Sequence, residues 1–207
     1  ATGHKALFSN TTGDYNIASG FKALHSNTTG EYNIANGFKA LNSNTTGDYN
    51  TAIGSNTLFS NTTGDNNIAI GSSALYSNTI GFNNTANGSM ALNSNTTGTD
   101  NIANGSGALD LNTTGSYNTA NGSWALHSNT TGSNNTAIGN FSNVGSNNLT
   151  NATAIGYGAI VTASNKIRLG NTNVTSIEGQ VAFTNASDRR LKKDITSTKY
   201  GLETILK

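Results

Sequence analysis

Small apolar, large apolar and amide side chains return to the same places every 17 residues along this chain. Leu7, Leu24, Leu41, Leu58, Leu75, Leu92, Leu109 and Leu126 keep that step, as do an Ala series from Ala18 to Ala154 and an Asn series from Asn16 to Asn135. Two Gly series share it, one from Gly13 to Gly132 and one from Gly20 to Gly156, the second giving nine copies without an insertion. Around Asn16 to Ser19 the residues alternate with the period of a strand, Asn16 and Ala18 toward one face, Ile17 and Ser19 toward the other. The glycines mark turns, where positive φ or close backbone approach is needed, and a second short strand is expected around Leu24. Stacking such units ~4.8 Å apart pairs each strand in parallel with its copy in the next coil. The pattern therefore predicts an all-β parallel solenoid, or β-roll, roughly 43 Å tall over nine coils. Ala18, Leu24, Ala35, Leu41, Ala52, Leu58, Ala69 and Leu75 are its expected core.

Across copies the Ala face never varies, whereas the opposite face mixes Ile, Thr, Asn and Ser. Two arrangements fit that alternation: Ala inside with Ile outward, or the reverse. The Asn16 series either forms an amide ladder between coils or merely tolerates a turn. A coil filled by one Ala and one Leu buries little apolar area against the entropy of ordering its backbone. Such a roll is expected to need partners, and Ile17, Ile34, Ile53, Ile68, Ile70, Ile102, Ile138 and Ile155 form the face on which to put them.

Composition removes several alternatives. With 34% hydrophobic and 10% charged residues, no Pro, no Cys and 24 Gly, the chain fits neither a helical repeat array nor a disulfide scaffold. Its excess of Asn, Thr, Ser and Gly would read as disorder were it not periodic. Net charge is +1, yet unevenly placed: residues 1–186 hold five basic against seven acidic groups, and residues 187–207 hold six against three. No apolar run approaches the roughly 18 residues of a bilayer span, so membrane insertion is not expected. The first residues fall mid-repeat without the apolar core of a signal peptide, as in a piece of something longer.

The segments N-T-A-I-G at residues 50–54 and 135–139, followed by A-L-x-S-N-T-T-G, resemble the head repeats of trimeric autotransporter adhesins and of many phage tail-fibre proteins. The resemblance spans residues 1 to about 158. It implies a left-handed parallel β-roll wound as a homotrimer, with the Ile-bearing strand turned toward the threefold axis. The usual repeat of that family is shorter, which makes the S-N-T-T-G corner an enlarged outer loop. Residues 1–156 are thus expected as the roll and residues 157–186 as a β neck, since K-I-R-L-G at 166–170 and V-T-S-I-E-G-Q-V-A-F at 174–183 are short alternating patterns bounded by Asn and Gly. A small independent β cap is the plain alternative. Arg168 and Glu178 read as surface or interchain charges.

A-S-D-R-R-L-K-K-D-I at residues 186–195 is similar to the start of the intramolecular chaperone domain of phage tailspikes, tail fibres and endosialidases, which aids trimerisation and then cuts itself off. Carried over, Ser187 is the nucleophile, Lys192 its general base, and Ala186–Ser187 the bond broken. A hydroxyl needs such a base, and a Lys serves when burial or neighbouring cations such as Arg189, Arg190 and Lys193 depress its pKa. The domain normally runs much further, so residues 187–207 are only its beginning, with Leu202, Ile205 and Leu206 opening a short helix.

Other chemistry is sparse. His25 and His127 share a repeat position but lie six coils, roughly 29 Å, apart, and with His4 they make no metal set. Asp14, Asp48 and Asp65 do not follow the calcium-binding nonapeptide pattern. No phosphate loop, catalytic carboxylate pair or nucleic-acid motif is present, and no cofactor is expected. Phe21, Phe38, Tyr76, Trp124 and Phe141 lie near turns, as contacts for a sugar or host surface or as ordinary exposed residues. The N-T-T triplets are formal glycosylation acceptors but repeat structure first. The expected protein is extracellular, on a virion or surface appendage: the distal part of a homotrimeric phage or phage-like tail fibre. Its partners would be its own copies and a cell-surface receptor, glycans among the candidates, with no nucleic acid. A bacterial trimeric adhesin head is the alternative. An ice-binding solenoid is a distant third, because adjacent Thr11 and Thr12 point to opposite sides of an extended chain. No enzyme acting on outside substrates is expected beyond single-turnover self-cleavage.

Overall fold

A computed structural model describes residues 1–178 of the chain, and residues 1–174 form one compact unit built from stacked coils. Each coil contributes one strand of three residues: β1 (Ile17–Ser19), β2 (Ile34–Asn36), β3 (Thr51–Ile53), β4 (Ile68–Ile70), β5 (Thr85–Asn87), β6 (Ile102–Asn104), β7 (Thr119–Asn121) and β8 (Thr136–Ile138). They continue into β10 (Thr153–Ile155) and β12 (Ile167–Leu169), and all ten lie in one parallel sheet in sequence order. The register is in phase, Ala18 opposite Ala35 and Ala35 opposite Ala52. A second sheet is only two strands wide, β9 (Asn143–Val144) with β11 (Ile160–Val161).

The alternation resolves with Ala inside. Ala18, Ala35, Ala52 and Ala69 are at most 2% exposed and Leu24, Leu41, Leu58 and Leu75 are fully buried, so the core is a column of Ala facing a column of Leu. A column this thin requires small residues on the sheet side because the sheet and the opposite wall are close together.

The opposite wall departs from the expected second strand. From Leu7 to Leu126 every Leu of the series has φ between 49° and 52°, the left-handed region that side chains rarely occupy. The wall is therefore a succession of turns in which Leu N–H groups still bond along the roll axis, Leu24 to Ala40 O at 2.9 Å and Leu41 to Thr57 O at 3.0 Å. Where the series lapses at Asn143, the wall becomes extended. Val144 and Val161, one position further along the coil, then fill the core and form β9 and β11.

Residues 166–170, expected as part of a neck, supply β12 instead. Ile167 pairs with Thr153, and Leu169 with Ile155, so the sheet gains a tenth strand from a coil of 14 residues rather than 17. The remainder of the expected neck from residue 179, and residues 187–207, lie outside the described residues.

Two buried amide columns brace the roll. Asn33 donates through Nδ2 to Gly47 O at 2.8 Å, while its Oδ1 accepts the N–H of Asn50 at 3.0 Å and the Asn50 amide at 3.1 Å. This is the expected Asn16 ladder. A second, unanticipated one starts at Asn10: Asn61 donates to Asn44 Oδ1 at 2.8 Å and to Gly64 O at 2.9 Å, and accepts from Asn78 at 2.8 Å. No buried side-chain N or O among the described residues lacks a partner, as the cost of burying polar groups demands. The glycines are required by the same packing: a Cβ on Gly47 would lie 2.5 Å from Gly64 O and 2.6 Å from Asn44 Oδ1.

Candidate functional site

With Ala turned inward, the first and third residues of each strand are left on the outer surface of the ten-stranded sheet. The first row reads Ile17, Ile34, Thr51, Ile68, Thr85, Ile102, then Thr in three successive coils. The third row reads Ser19, Asn36, Ile53, Ile70, three Asn, Ile138 and Ile155. The eight Ile residues expected at an interface all stand on this surface, 37–59% exposed. β-branched side chains suit the pleat, yet here they cover nothing of their own chain. Asn side chains of the third row reach one another along it, Asn87 to Asn104 at 3.4 Å.

Two rims border the sheet, placed by residues just before and just after each strand. Before the strand stands a left-handed residue, φ 51–59°, occupied by Tyr15, Tyr32 and Tyr49 in the first coils. Their rings stack at centroid distances of 4.7 and 4.9 Å. One residue earlier runs the row Asp14, Glu31, Asp48 and Asp65. Asp48 Oδ1 accepts the Glu31 N–H at 2.7 Å, and Asp65 Oδ1 accepts the Asp48 N–H at 2.8 Å. After the strand, Gly20 and its copies turn the chain at φ 109–149°. His4, Phe21 and Phe38 follow as a stack with centroids 5.4 Å apart, and beside them Lys5, Lys22 and Lys39. The Lys22 ammonium lies 5.7 Å from the Phe21 ring centroid, and that of Lys39 lies 5.3 Å from Phe38.

Beyond the lysines, a third outer row carries the remaining aromatic stacks, Phe8 on His25 and Phe59 on Tyr76. It also carries Asp110 against His127, whose Nδ1 meets the Asp110 carboxylate, with Trp124 edge-on to the imidazole at 4.9 Å. Burial pushes the Asp110 carboxyl above its ordinary value despite the opposing pull of His127. The His25 imidazole is held below its ordinary value by desolvation, then by Lys22 and Lys5.

His4, His25 and His127 thus sit in different rows or distant coils, and no group of three potential metal ligands occurs among the described residues. Hydroxyls of the Thr28 series are engaged along the axis, Thr28 Oγ1 donating to Thr45 O at 2.9 Å and Thr45 Oγ1 to Thr62 O at 3.0 Å. Arg168 donates from Nε to Gly170 O at 2.8 Å within its own coil. Ser187 and Lys192, the candidate self-cleavage pair, lie outside the described residues. The rims themselves were readable: Tyr15, Tyr32 and Tyr49, the four acids and the three lysines each recur at 17-residue steps, whereas taken singly they pass for scattered surface residues. Compared with protein-family models, with curated proteins and with solved structures, the chain matches none.

Proposed function

We propose that this chain is a structural and adhesive fibre segment, the distal part of a left-handed homotrimeric phage or phage-like tail fibre that attaches to a cell surface. The observation that carries the reading is the outer surface of the ten-stranded sheet, where eight Ile side chains 37–59% exposed stand at coil-by-coil height with nothing of their own chain over them. A continuous exposed apolar surface of this kind marks an interaction face, and a rod of identical coils is best covered by other rods of equal pitch. The aromatic stacks on the outer rows then remain available for a receptor, glycans included. Ser187 and Lys192 belong to the same proposal as nucleophile and base of a single-turnover cut at Ala186–Ser187, with residues 187–207 the opening of an assembly domain.

The test is the solution mass of the full chain and of its Ser187→Ala variant, by light scattering and denaturing gel. A particle near three times 21.3 kDa supports the fibre, and scission lost only in the variant supports the Ser–Lys pair. A stable monomer at high concentration overturns the fibre reading.

A further inference from the structure

The two rims of the sheet are opposite in charge and equal in placement. Counting from the buried Ala18, Tyr15 and Phe21 stand three residues away on either side, Asp14 and Lys22 four. In the next coil Glu31 and Lys39 hold the same places about Ala35. Both rows are confined to the first coils: after Asp65 the acidic row continues as Phe82, Thr99, Ser116 and Ser133, and after Lys39 the basic row continues as Asn56, Ser73 and Met90. Neither row is neutralised within the chain, because the one ion pair among the described residues is Asp110 with His127. Like charges stacked at coil spacing, about 5 Å, repel, so each row favours a counter-charge from outside.

Symmetry decides where that counter-charge comes from. Rotation about the roll axis sets the rim that follows the strand on one copy beside the rim that precedes it on the next, at equal height. A twofold axis along the strands, which apposes the same faces with the coils running oppositely, sets each rim against its own kind. The observed charges therefore favour copies that run in parallel and penalise antiparallel ones.

We infer that the rims pair between copies of this chain, Lys22 and Lys39 of one copy with Asp14, Glu31 and Asp48 of the next, fixing the copies parallel and level at their first coils. This rests on the homotrimeric reading and adds polarity and height to it. The Ile rows give the association its area but are nearly uniform along the axis, so they hold copies together equally well one coil out of step. The charged rims exist at one end only and distinguish the level arrangement from slipped ones. Such charge pairs act on specificity and association rate more than on affinity.

The experiment compares four full-length chains: the wild type, Lys22→Glu/Lys39→Glu, Asp14→Lys/Glu31→Lys, and the chain with all four changes. Assembly is followed by light scattering through a dilution series at low and high salt, with circular dichroism checking each fold. Each double reversal is expected to shift half-assembly to about tenfold higher concentration at low salt, with high salt narrowing the gap, and the fourfold chain is expected to recover wild-type assembly. Trimers indifferent to both reversals, or a fourfold chain that fails to recover while folding normally, overturn the rim pairing and leave the trimer standing. A monomeric wild type removes both. Unchanged assembly of Lys22→Glu/Lys39→Glu together with lost retention on immobilised heparin would give the lysine row to an external polyanion and likewise overturn the pairing.

Discussion

Asn33 and Asn61 use the same amide for different ends. Asn33 sits at the entry to a strand, where its oxygen takes the N–H of the Asn one coil on and its nitrogen ties the coil to a glycine carbonyl. Asn61 closes a turn of its own coil through Gly64 O and links the coils on either side. Replacing Asn61 by Ala leaves Gly64 O, Asn44 Oδ1 and the Asn78 amide short of a partner in a fully buried site. The expected loss is about 2–3 kcal/mol, seen as a clear fall in the thermal midpoint by circular dichroism. Thr63→Ala, on an exposed neighbour, should stay within about 0.5 kcal/mol of wild type. Asp110 gives a pH test. Its folded pKa lies above the ordinary 3.8, so its contribution is most favourable below that value and is lost as pH rises through the folded one. Asp110→Asn keeps an acceptor for His127 and removes the buried charge. It should melt higher than wild type at neutral pH, with the advantage shrinking on acidification, and a gap that widens in acid would refute the assignment.

At the scale of the coil, the period and the core were legible because burial enforces them: an Ala column and a Leu column cannot drift without opening cavities. The conformation of the Leu wall was not legible. Leu disfavours φ near 50°, so its pattern reads as a strand, and only stacking against neighbouring coils imposes the left-handed geometry. The extended wall at Val144 and Val161 reflects the same balance with the Leu removed. A whole coil is thus the unit that can be lost. Deleting residues 85–101 joins Asn84 to Ile102 in phase, and the shortened roll should retain its β spectrum and cooperative melting. Deleting residues 85–92 alone puts Leu and Asn columns out of register and should abolish cooperative melting. If both deletions behave alike, coils do not act as independent layers.

For the whole molecule, the sheet surface was anticipated as the place for partners, while the rims that flank it were not, since charge was counted along the chain rather than by row. The end of the roll was also misjudged: β12 arises from a 14-residue coil, and a shorter coil hides from a search for 17. One feature runs through every layer, the hydrogen bonding of the main chain from coil to coil along the roll axis, Ile34 N–H to Asn50 O and Gly37 N–H to Ser19 O, both at 2.8 Å. It gives the rod a mechanical character. A pull along the axis loads those bonds in tension, one layer against the next, and peels the chain off in turns. Each turn that lets go pays out 17 residues, roughly 55 Å of slack in place of ~5 Å of height. A fibre tip built this way lengthens under a tug in discrete increments, absorbing load as a shock cord does while the layers behind it stay closed.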